Sequence, residues 1–194
     1  MLKKLVNRIA FLLEHNQIIE ENDIEICSYG LELMLNNIIT IFLLLLAGTL
    51  LKTIEFTIIF TVIFISVKRY TGGFHCKTYG KCLMVTMLVY ILVMVPALIL
   101  SKEIQLIIGI IFLTYSVIKI YITDPIVSIN RPKTEDEIER CRRNKDKIIT
   151  LILFIELILL IVGRMTSVFF VISVSLMAIA INMVLSKKME DEIA

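Results

Sequence analysis

The chain is poor in the residues that carry most protein chemistry. Its 194 residues include two histidines and four cysteines. A disulfide framework needs paired cysteines in an oxidising setting. Cys27, Cys76, Cys82 and Cys141 lie scattered, and all but Cys27 fall in loops that the charge pattern below assigns to the reducing cytosol. A zinc centre on His75, Cys76 and Cys82 lacks a fourth ligand nearby, and tetrahedral zinc wants one. No metal and no cofactor are therefore expected. The chain also lacks any internal repeat, any low-complexity tract and any polar region long enough to build a soluble core.

Apolar sequence is what it has in plenty. Fifty-eight per cent of residues are hydrophobic and 20% charged, and the apolar ones fall in blocks rather than along faces. A bilayer crossing takes about 20 such residues. Six blocks suggest themselves: Leu31–Leu51, Ile54–Val67, Leu83–Leu100, Ile104–Ile122, Ile148–Val162 and Thr166–Leu185. The second is short and must borrow from its flanks or tilt little. Leu2, Leu5, Val6, Ile9, Leu12 and Leu13 share one helical face, with Lys3, Lys4, Asn7 and Arg8 opposite, the pattern of an interfacial helix. Asn7, Arg8 and Glu14 interrupt any signal-peptide core, so this segment is expected to be retained. The expected fold is all-α: a polytopic membrane protein of six transmembrane helices with an N-terminal amphipathic interfacial helix. It would be one domain, 1–194, with an interfacial region 1–30, a six-span bundle 31–185 and a cytoplasmic tail 186–194.

Charge placement orients it. With a cytoplasmic N-terminus and six crossings, all of the 20 basic residues except Lys52, Lys102, Arg164 and Lys119 lie inside, as the positive-inside rule requires. Both termini and the segment around His75 and Cys82 would then be cytoplasmic. These charges suit anionic lipid or an acidic peptide. They give no reason to expect nucleic acid.

The chemistry concentrates in Lys68-Arg69-Tyr70-Thr71-Gly72-Gly73-Phe74-His75-Cys76-Lys77-Thr78-Tyr79-Gly80-Lys81-Cys82. Thiol proteolysis needs a thiolate, a base that takes its proton and returns it to the leaving amine, and usually a group orienting the base. Cys82 and His75 supply the first two. On one unbroken helix they would stand about 10 Å apart along the axis, so the segment must bend, most easily at Gly72, Gly73 or Gly80. Lys68, Arg69, Lys77 and Lys81 would favour the charged thiolate, as would a helix beginning near Cys82. Asp124 could orient His75, or it could simply end a helix in an Asp-Pro turn. Glu156 in the fifth block is either functional or hydrogen-bonded to another helix, for example to Asn182 or Asn37.

The run from Lys68 to His75, followed by Cys82, resembles the signature of the accessory gene regulator B family. The likeness extends to Asp124-Pro125 with Asn130-Arg131-Pro132 and to the layout of spans, and so to nearly the whole chain. The resemblance implies a membrane cysteine endopeptidase of bacterial peptide quorum sensing. Such an enzyme removes the C-terminal part of a small amphipathic AgrD-like propeptide and joins the new carboxyl end to an internal cysteine or serine as a thiolactone or lactone. It implies His75 and Cys82 as the catalytic pair, with Lys68, Arg69 and Gly73 as motif neighbours, in the plasma membrane. An isologous homodimer is the default oligomer. The alternative is a small transporter or channel-like protein in which Glu32, Glu156 and the asparagines line a path; it would barely notice loss of Cys82.

Overall fold

In a computed structural model the residues described are 2–72, 79–126, 134–163 and 165–193. They form an all-α protein of seven α-helices: α1 Leu2–His15, α2 Ile24–Leu50, α3 Ile54–Thr71, α4 Tyr79–Ile99, α5 Lys102–Ile122, α6 Glu135–Val162 and α7 Thr166–Ile193. Among the described residues, four stretches are long and apolar enough to cross a membrane: Ile24–Leu50, Gly80–Ile99, Lys102–Ile122 and Thr166–Lys188.

That number corrects the expected six. The blocks at 54–67 and 148–162 do lie in helices, α3 and α6, but neither supplies a full apolar span. Glu55, Lys68 and Arg69 all lie within α3, and the uncharged run between them, residues 56–67, rises only ~18 Å at 1.5 Å per residue. In α6 the apolar run starts after Lys147 and is interrupted by Glu156. A hydrocarbon core is ~30 Å thick.

The chain separates into two compact units, residues 1–46 and 47–194. In the first, α1 buries Val6 and Ala10, and Ser28 on α2 donates to Asn7 Oδ1 at 2.6 Å. Helix α1 ends in a Schellman turn, with Gln17 at φ 56° and the N–H of Ile18 reaching Leu13 O at 2.9 Å.

In the second unit α7 is central: α3, α4, α5 and α6 all pack on it. Phe169 to Ser173 are buried without a break, as expected of a helix enclosed on several sides. Gly109 lets α5 approach closely, since a Cβ there would stand 2.6 Å from the Phe169 ring. A core of Val67, Ile120, Ile149, Ile152 and Leu176 ties α3, α5, α6 and α7 together, while Leu88, Ile107, Phe154 and Leu157 point outward, as they do where lipid is the solvent.

Polar contacts close the unit at both ends. At one end, Tyr90 Oη lies 2.8 Å from Thr57 Oγ1. There, too, Gln105 Nε2 donates to Ala97 O and Leu100 O, both at 2.9 Å, capping α4. The other end gathers the C-terminus of α3, the start of α4 and the C-terminus of α5. Helix α6 begins beyond it with a capping box, Thr134 and Glu137 each bonding the other's backbone N–H. The apolar block 148–162 is thus the second part of one continuous helix whose first part is charged.

Candidate active site

The basic end is organised by how α3 stops. Its last turn carries Lys68 and Arg69, cations that complement the negative end of the helix dipole. Lys68 lies back along the helix with Nζ 5.2 Å from the Phe64 ring centre, and Arg69 stacks locally on Tyr70. Gly72 then takes φ 68°, ψ −149°, a conformation essentially reserved for glycine. A Cβ there would also collide with the carbonyl oxygen of Ile126. Ile126 returns the contact, its N–H donating to Thr71 O at 2.8 Å. Two motifs about 50 residues apart in sequence, the glycine turn and Asp124-Pro125, thus meet.

The loop carrying Asp124 is held from α6. Arg142 donates to Asp124 Oδ1 in an exposed ion pair, and this hydrogen bond holds the Asp124 carboxyl below its ordinary value of 3.8. Three residues along, Lys145 is 1% exposed. Its ammonium donates to Ile120 O and Thr123 O, both at 2.8 Å, closing the C-terminus of α5. Burial pulls Lys145 below its ordinary value of 10.5, with Asp146 and Asp124 pulling the other way.

Cys82 sits in the first turn of α4, which starts at Tyr79. The helix dipole makes this end of α4 positive. Its carbonyl accepts from Thr86 Oγ1 at 3.0 Å. Beside the thiol lies a cavity of about 30 Å³, lined by Phe64 and Lys68 of α3, Cys82, Val85, Thr86 and Val89 of α4, and Ala178 and Asn182 of α7. Cys82, Lys68 and Asn182 therefore line one small, largely apolar space.

Cys82 and Lys68 are thus brought together, and Gly72 meets the loop next to Asp124. Arg69 does not line the cavity, and Asp124 is engaged by Arg142. His75 and Gly73 lie outside the described residues, as does Cys76. Cys27, Cys82 and Cys141 carry thiols. Glu156 is buried in α6 with Ser173 of α7 facing its carboxyl, yet neither closes a hydrogen bond of normal geometry. Its neighbour is thus Ser173, not the Asn182 considered from sequence. Asn182 was passed over as a site residue, although an amide in so apolar a helix must find polar company. Lys145 and Arg142 entered the sequence reading only among the basic residues assigned to the inner side.

The comparisons with known proteins agree with one another. The sequence profile of the Accessory gene regulator B (AgrB) family matches residues 6–185. An AgrB-like protein of Clostridium perfringens strain SM101 is 27% identical over 143 residues, covering 71% of this chain and 67% of its own. A second, from C. perfringens strain 13, is 25% identical over the same length and shares. An AgrB-like protein of Clostridium beijerinckii is 27% identical over 95 residues, 48% of each chain. No solved structure matches.

Proposed function

Because this chain belongs to the Accessory gene regulator B family, we propose that it is a membrane-embedded cysteine endopeptidase that cleaves a small AgrD-like propeptide through a thioester on Cys82 and promotes its ring closure. The observation that carries this reading is the placement of Cys82: a thiol in the first turn of α4, sharing a cavity with Lys68.

In this reading His75 takes the thiol proton. The sulfur of Cys82 then attacks the scissile carbonyl carbon, and the carbonyl π pair moves onto oxygen. When that pair returns, the C–N bond breaks. The departing amine takes the proton back from His75, leaving an S-acyl enzyme. An internal thiol or hydroxyl of the bound peptide next attacks the thioester carbonyl. It gives up its proton, and Cys82 leaves as thiolate and is reprotonated. Thiol-for-thiol exchange conserves the energy of the acyl bond, provided water is kept out, and the apolar walls around Cys82 favour that outcome.

The charge rule orients the molecule. Lys68, Arg69, Lys81, Arg142 and Lys145 cluster at the Cys82 end of the second unit, whereas Lys102 lies at the other. We place the Cys82 end on the cytoplasmic side of a bacterial plasma membrane, with the propeptide drawn in by that basic face. Gly72 and Asp124 support the site by holding its segments, and a homodimer is the oligomer we expect. The test is co-expression with the small reading frame beside the gene, reading product mass. Cys82→Ala should abolish cleavage while Cys27→Ala and Cys141→Ala leave most of it. Retained cleavage by Cys82→Ala would sink the reading.

A further inference from the structure

Helix α6 carries two unlike faces. Lys145, Ile149, Ile152 and Glu156, spaced by three or four residues, are buried against the rest of the second unit. The opposite stripe is exposed and keeps the same spacing: Arg140, Arg143 and Lys147, then Leu151, Phe154 and Ile158. One outward face is therefore cationic over its first part and apolar over the rest. From Lys147 to Ile158 the helix rises ~17 Å at 1.5 Å per residue. One leaflet of a bilayer is about that deep, half of a hydrocarbon core ~30 Å thick.

Two contacts fix the height at which this face changes character. Helix α5 is one of the four stretches of membrane-crossing length and ends at Ile122. Lys145 donates to Ile120 O and Thr123 O, so it marks on α6 the level where α5 leaves the apolar layer. Tyr121, 40% exposed, brings its hydroxyl to 2.7 Å from Thr150 Oγ1, and tyrosines favour that same boundary between water and lipid. Arg143 and Lys147 stand within one turn of Lys145, on the outward side. Arg143 meets Glu139 at 3.7 Å in an exposed pair. Among the described residues, no carboxylate lies within ion-pair distance of Arg140 or Lys147. Asp136 shares the stripe but lies beyond Arg140, away from the apolar part.

We infer that this face of α6 binds an anionic phospholipid, with the phosphate held by Arg140, Arg143 and Lys147 and the acyl chains laid along Leu151, Phe154 and Ile158. Cations at the membrane surface attract anionic head groups, and an arginine can hold a phosphate through two parallel N–H groups. An acidic peptide would occupy the cations and leave the apolar half of the stripe uncovered. A lipid satisfies both halves at once. The site does not use Cys82 and stands whether or not the peptidase reading does.

The test titrates the full-length protein, in a non-ionic detergent at low salt, with dioleoyl phosphatidylglycerol and counts lipid adducts by native mass spectrometry. Binding should saturate and exceed that of dioleoyl phosphatidylcholine. Arg140→Gln combined with Lys147→Gln should weaken it ~30-fold, a factor of about five for each surface cation, and Phe154→Ala should weaken it further. Lys187→Gln combined with Lys188→Gln removes the same charge from α7 and should leave binding nearly unchanged. Unfolding temperatures without lipid check that the variants are folded; if the α6 pair is not, Arg140→Gln alone, with its ~5-fold loss, carries the test. Undiminished binding in the α6 variants overturns the inference. So does an equal loss in the α7 pair, since net charge rather than this face would then attract the lipid. Equal binding of phosphatidylcholine overturns it too. If inorganic phosphate or hexaglutamate binds as tightly as the lipid and is lost with the same two side chains, the cations serve a free anion or an acidic peptide, and the lipid assignment fails.

Discussion

Replacing Lys145 by methionine should destabilise the protein by about 2–4 kcal/mol. The side chain is 1% exposed, so methionine, similar in length, keeps most of its packing. What it cannot keep are the two donated hydrogen bonds, to Ile120 O and Thr123 O. A buried acceptor left without a donor costs about 1–3 kcal/mol, and two are orphaned. Some of that is offset because methionine need not be desolvated as a cation. The sign of the pH dependence is a further check. Burial lowers the Lys145 pKa from 10.5 in the fold, so between that lowered value and 10.5 the unfolded chain binds more protons than the folded one. Stability contributed by Lys145 must then rise with pH across that window. The neutral amine still donates to both carbonyls, so the gap to Lys145→Met should widen there. Reversible unfolding of both proteins in detergent, followed from neutral to alkaline pH, measures it. A Lys145→Met protein as stable as the original, or a gap that narrows with pH, would refute the reasoning.

Gly72→Ala should cost ~1–3 kcal/mol or more from its backbone conformation alone, and processing should fall with it because the Cβ pushes Ile126 away; unaltered thermal unfolding and processing would contradict this. Glu156→Leu should leave processing intact and raise stability in detergent, since a buried carboxyl with neither oxygen in a hydrogen bond of normal geometry is a net burden; lost processing would instead make Glu156 functional. Asp124→Asn should change stability little at neutral pH, because the pair with Arg142 is exposed. Arg142 holds Asp124 below 3.8, so its contribution is present above that value and is lost as pH falls through the lowered one; in an acid titration of both proteins the small gap between them should close only in that window. An impermeant thiol reagent applied to intact cells should label Lys102→Cys and spare Cys82 and Cys141; the reverse pattern would invert the orientation.

The helices that hold the longest uninterrupted apolar runs were legible because run length alone identifies them: α2, α4, α5 and α7. The amphipathic α1 was equally plain from Val6, Ile9 and Leu13 opposite Lys3, Lys4 and Arg8. Helices α3 and α6 misled because their apolar runs are real but short, and composition does not say whether a short run crosses a membrane or packs beside helices that do. The thiol and the lysine that lines its cavity were legible because Lys68 and Cys82 belong to one motif. Asn182 was not, since nothing local in α7 tells which of its faces turns toward α4. Lys145 illustrates the same limit for charge: in a basic run it looks like its neighbours Arg142 and Arg143, and only the end of α5 makes it a buried cap.

The shortfall in spans and the location of the site have a common cause. Helix α3 stops being apolar at Lys68, the residue that faces the cavity beside Cys82, and it stops being helical at Gly72, where it meets Ile126. Helix α6 is charged over the half that supplies Arg142 and Lys145, which hold the loop on the other side of that meeting. Both departures from a uniform membrane helix therefore lie at the same end of the second unit. Extending either apolar run toward the basic end would make a better span and remove the lysine from the cavity or the anchor from the loop. Local rules broken in this way, at the place where chemistry is wanted, are what selection for a site rather than for a span leaves behind.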